Sequence, residues 1–82
     1  MIEEEEIHEW LVDAIVTSNM KQREIAKEIG LVQQSIAQYI SGRALPSLKT
    51  FANLCIVLNL DANEILGIND YRRKNNINAN IQ

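Results

Sequence analysis

Apolar residues in this chain recur three and four positions apart, and no stretch before the C-terminal tail alternates as a strand would. Ile7, Leu11, Ala14 and Ile15, with Trp10 beside them, form one stripe. They predict a first helix from about Glu3 to Thr17, whose leading glutamates suit the positive end of the helix dipole. Ile25 and Ile29 share one face of a second helix, and Ile36 and Tyr39 one face of a third. The loop SGRALPS follows, with Gly42 and Pro46 as breakers. Ser47 then caps a fourth helix in which Leu48, Phe51, Ala52, Cys55 and Leu58 repeat, and Asn59 takes the left-handed position after it. Asp61 and Glu64 read as a capping box for a fifth helix, DANEIL, which Gly67 ends. The expected fold is all-α: a compact five-helix domain over residues 1–67, with a tail over 68–82.

The segment QREIAKEIGLVQQSIAQYI asks for more than an apolar repeat. Gly30 stands where the first of its two helices ends and a left-handed backbone is needed. Leu31 plugs the angle between the helices. Ala26 is the small residue where the second helix passes close by. Ile25, Ala26, Ile29, Gly30, Leu31, Ile36 and Tyr39 together are the core of a helix-turn-helix, which presents its second helix to the major groove of DNA.

A net charge of −3 argues against DNA binding only when the chain is taken whole. Residues 1–20 carry six acids and no Lys or Arg, residues 21–50 five bases against two acids, and residues 51–82 three of each. The helix-turn-helix stretch is therefore positive, as phosphate contact requires. The acidic start is expected to face away from the duplex. The lone Cys55 excludes an internal disulfide and fits a reducing cytoplasm. No apolar run approaches a membrane span, and MIEEEEIHEW lacks the layout of a signal peptide.

Residues 20–66 resemble the Cro/CI family of phage and bacterial repressors, the Xre-type helix-turn-helix family. The glycine loop ending in Pro46-Ser47 and the close LNLDANEIL both recur there at this spacing. VQQSIAQYISGR resembles the recognition helix of the 434-type phage repressors. The resemblance implies a lambda-repressor-like DNA-binding domain that regulates transcription, probing the major groove with the helix over residues 33–41.

With Ile36 and Tyr39 turned inward, Gln33, Gln34 and Gln38 point outward. An amide presents a donor beside an acceptor, which matches the adenine edge in the major groove. The resemblance implies that these three glutamines touch bases. It also implies that Gln22, opening its helix, binds a phosphate beside free amide groups. Lys21, Arg23, Ser41 and Arg43 are further candidates for the backbone. Ser35 and Ala37 are small enough to approach the backbone or a thymine methyl.

The chain departs from the family in several places. Lys21 and Val32 replace the usual capping residues, at a cost of about 1 kcal/mol each. Ile15 and Ile40 fall where the 434-type repressors hold a buried Arg–Glu pair, and are expected to touch and replace it with apolar packing. After Arg43 the loop reads ALPS with no further base, so the minor-groove arginine of related repressors is either missing or supplied by Arg43 alone, and A·T preference at the operator centre is not implied.

Nothing in the sequence suggests an enzyme. His8 and Cys55 are too few for a metal site, Cys55 falls on a core stripe, and no cofactor is implied. The Asn-rich tail offers Ile68, Tyr71, Ile77 and Ile81 for packing on a second subunit, and Arg72, Arg73 and Lys74 either as bases that reach DNA or, the favoured reading, as solvated ones. Members of this family imply a homodimer on a near-palindromic site, with the fifth helix and the tail as the expected contact. Two other readings stand beside the regulator: an antitoxin whose acidic start or tail binds a toxin, and an interaction module that no longer binds DNA.

Overall fold

A computed structural model describes residues 1–75. Six helices form among them: α1 (Glu4–Thr17), α2 (Gln22–Ile29), α3 (Gln33–Ser41), α4 (Leu48–Leu58), α5 (Ala62–Ile65) and α6 (Ile68–Lys74). The fold is all-helical, as expected, but it has one helix more than the sequence pattern suggested. α2 packs against α3 and α4, α1 against α3 and α5, and α6 against α5.

One core joins these helices. Leu11, Ile25, Ile36 and Leu54 are completely sealed, one from each of the first four helices. Ala14, Ile15, Ala26, Tyr39, Phe51, Cys55 and Ile65 complete it, and Ile29, Leu31 and Ile40 pack on its edge. Burying a side chain such as Leu or Ile contributes roughly 1.5–3 kcal/mol, so these four residues anchor the bundle.

The turn between α2 and α3 forms as its residues dictate. Gly30 takes φ +75°. This lets the Leu31 amide donate back to the Ala26 carbonyl at 2.8 Å and turns the chain sharply. Lys21 and Val32 supply no side-chain cap, whereas Ser47 accepts from the Thr50 amide at 3.2 Å. Asn59 is left-handed at φ +55°. Asp61 accepts from the Asn63 amide at 2.9 Å, but no bond from Glu64 completes the expected box.

Two expectations need correcting. On α4 the buried face is Phe51, Leu54 and Cys55, while Leu48 is 86% exposed and Ala52 faces solvent. Eight of the eleven residues of this helix are apolar, so more than one stripe fits the period. Second, the segment that follows Gly67 opens with a helix. Ile68–Lys74 is helical, Ile68 and Tyr71 are half-buried within the chain itself, and the Tyr71 hydroxyl lies 3.2 Å from Met1 Sδ. Gly67 makes the close approach possible: a Cβ there would stand 2.1 Å from Trp10 Cζ3. Ile77 and Ile81 lie outside the described residues.

Candidate nucleic-acid interface

Ile36, fully buried, and Tyr39, 9% exposed, fix the inward face of α3. The opposite face follows from the helical period. Gln33 and Gln34 are exposed in the first turn, and Gln38, one turn beyond Gln34, is half-buried. None of the three amides bonds to another described residue, so their donors and acceptors are free. Ala37 and Ser41 continue the exposed side, and Ser35 is half-buried.

The start of α2 stands beside the start of α3. Lys21, Gln22, Arg23 and Gln33 line one groove of about 500 Å³, floored by Ile15, Val16, Met20 and Ile40. The first intrahelical bond of α2 runs from the Ile25 amide to the Lys21 carbonyl at 3.0 Å. The amides of Gln22, Arg23 and Glu24 therefore precede it and point out of the helix end. Glu24 is turned back, with Oε1 accepting from the Lys21 amide at 2.9 Å. Exposed donors, two cations and a helix N-terminus are groups that attract an anion, opposed here by the Glu24 carboxylate. Ile15 and Ile40 both line this groove, at the positions where the resemblance placed an ion pair in related chains.

Ser41 and Arg43 lie at the other end of α3. Both are exposed, but the Ser41 hydroxyl donates to the Gln38 carbonyl at 3.1 Å and must rotate before it can serve a phosphate. The fold thus brings together Lys21, Gln22, Arg23 and Gln33. It sets Ser41 and Arg43 apart from them along the helix, and Ser35 outside the groove.

Two features escaped the sequence pattern. Glu4 and Glu5 share a small cavity with His8, Gly42 and Leu45. The acidic start of α1 therefore flanks the end of α3 instead of standing clear of it. His8, read from sequence as an isolated side chain on an acidic helix, places Nε2 2.9 Å from the Ile40 carbonyl. Its partner is a backbone group, which no side-chain pattern announces.

Elsewhere the chemistry is sparse. Cys55 is buried in the core, and burial, aided by the Asp61 charge, pushes its thiol pKa up. Among the described residues no group of three or more His, Cys, Asp or Glu could hold a metal ion. No described helix is long and apolar enough to cross a membrane.

Comparison with known proteins bears directly on this surface. A helix-turn-helix family model matches residues 14–65, from the end of α1 through α5. The chain is also similar to the ImmF control region 10 kDa protein of Bacillus phage phi105. The two are 32% identical over 63 residues, which span 77% of this chain and 70% of the phage protein. No solved structure matches.

Proposed function

The chain belongs to the Cro/CI (Xre-type) helix-turn-helix family and is a DNA-binding transcriptional regulator; from that premise we propose that it is a sequence-specific repressor that reads the major groove with α3. The observation that carries the reading is the free amide face of Gln33, Gln34 and Gln38, set beside the cationic groove at the start of α2. In this reading the glutamines contact bases. Gln22, Lys21 and Arg23 hold the phosphates at one end of α3, with Ser35, Ser41 and Arg43 serving the backbone farther along. Base contacts supply discrimination and phosphate contacts fix the register. The similarity to a protein named for the ImmF control region of a phage supports a regulatory role of the repressor kind.

Residues 1–67 form the DNA-binding unit of this proposal, and the protein acts as a homodimer. α5 offers a partner little apolar surface, since Ile65 is buried and Asn63 and Glu64 are the exposed residues. α4 offers more: Leu48 and Ile56 are 86% and 76% exposed, with exposed Ala52 between them at helical spacing. A dimer through this face must set two copies of α3 about 34 Å apart on one side of a duplex to meet successive half-sites.

The test is selection of bound duplexes from a random pool, with the bound mass read by sedimentation. The proposal expects near-palindromic sites, half-site centres one helical turn apart, and two chains per site. A pool without enrichment, or binding indifferent to salt, contradicts DNA recognition. Enrichment of an asymmetric site by a single chain contradicts only the dimer.

A further inference from the structure

A helix leaves its last four carbonyls without intrahelical partners. In α3 the Gln38 carbonyl accepts from the Arg43 amide at 3.0 Å, and the Tyr39 carbonyl from the Gly42 amide at 3.3 Å. The Ile40 carbonyl gains nothing from this turn. It accepts instead from His8 Nε2 at 2.9 Å, across 32 positions of sequence. A carbonyl can only accept, so Nε2 carries the proton. The same ring rests on the turn itself: a Cβ added to Gly42 would meet His8 Cε1 and Nε2 at 3.2 Å. One half-buried side chain of α1 thus satisfies a leftover carbonyl of α3 and packs beside the glycine that follows the helix.

We propose that His8 is a positioning residue for DNA recognition, a tether by which α1 sets the C-terminal end of the recognition helix. The proposal rests on the reading of α3 given above. Ile36 holds the middle of α3 through the core, and Tyr39 and Ile40 anchor its last turn by apolar packing, which leaves the end free to slide along its axis. That turn carries Ser41 and leads to Arg43, and Gln38 lies at its start. A site that reads bases by paired hydrogen bonds tolerates displacements of only about 0.5 Å. To the apolar packing of α1 on α3, the His8 bond adds the one directional contact at that end. His8 itself touches no DNA in this scheme.

The experiment compares the wild type with H8L and H8Q on the duplex that the wild type selects, and on single-base variants of it, with thermal melts run alongside. Leucine keeps apolar bulk and removes the donor. Glutamine places a neutral amide donor at about the reach of Nε2. The expected result is an H8L protein that is folded at the assay temperature yet binds about tenfold more weakly, the worth of one hydrogen bond. The loss falls on the base step read by Gln38, and H8Q restores affinity to within about threefold of wild type. Undiminished binding by H8L overturns the proposal, as does failure of H8Q to restore it or a loss spread evenly over all duplexes. Nitrogen-edited NMR of the wild type supplies a measurement free of variants. A protected ring Nε2 proton that shifts on adding duplex supports the tether; a freely exchanging one overturns it. A wild type that selects no duplex overturns the reading of α3, whereas wild-type binding with an unaffected H8L overturns only the role of His8.

Discussion

Replacing Gly67 by Ala should destabilise this protein far more than replacing Gly30, although both glycines have nearly the same backbone. Their φ angles are +71° and +75°. For an L-residue the left-handed conformation costs roughly 1–2 kcal/mol. The gain from a less flexible unfolded chain is common to both substitutions and cancels in the comparison. The surroundings differ. A Cβ at position 30 meets nothing within 4 Å, while one at position 67 falls 2.1 Å from Trp10 Cζ3 and 2.3 Å from Cη2. Carbon atoms rest about 3.5–4.0 Å apart, so the indole must retreat by about 1.4 Å or more. Overpacking of this kind costs about 1–3 kcal/mol. G30A should therefore lose about 1–2 kcal/mol and G67A about 2–5. In a domain of this size the difference is a further fall in Tm of roughly 5–20 °C. The assay is urea or thermal unfolding of both variants, repeated in a W10L background. There the added cost of G67A should shrink to that of G30A. Equal losses in the wild-type background, or an unchanged increment in W10L, would refute the account of how Trp10 seats the join between α5 and α6.

Three further outcomes follow from the same structure. A double-mutant cycle with I15A and I40A should show coupling of about 0.5–3 kcal/mol if the two side chains form the apolar replacement for the family's ion pair; strictly additive losses would remove that contact. Because burial raises the folded pKa of Cys55, the unfolded thiol ionises first, so the stability it lends is complete below the ordinary thiol range and lost as pH rises through the folded value. The urea midpoint of the wild type should then fall further than that of C55A between neutral and strongly alkaline pH, and parallel falls would contradict the shift. Removing two acids beside the end of α3, as E4Q/E5Q, should strengthen duplex binding about two- to fivefold at low salt, with the gain fading at high salt; identical affinity at both salts would show that these charges do not reach the phosphates.

The sequence disclosed most where one residue type answered one geometric demand. Gly30, Ala26 and Leu31 each fit a single place in a tight helix pair, and the structure puts them there. The face of α3 was legible for the same reason, since Ile36 and Tyr39 are its strongest apolar pair. α4 was not, because a helix apolar on most sides gives periodicity no face to choose, and Leu48 was drawn inward where Leu54 belongs. The helix over Ile68–Lys74 was missed because its sequence is polar. Its support is tertiary, coming from Met1 and Trp10 at distant positions, with Gly67 at its start letting the indole close in. His8 was missed because local sequence shows that a helix end leaves a carbonyl unpaired, but not which distant donor will find it.

The claim on which the account turns is that the exposed amides of α3 read base edges. Its most direct test is the affinity of the wild type and Q34A for the selected duplex and for every single-base variant of one half-site. The account predicts that Q34A loses discrimination at one base step, by roughly 1–3 kcal/mol, while preferences elsewhere in the half-site persist. Equal weakening toward every sequence, or an unchanged preference at every position, would contradict it.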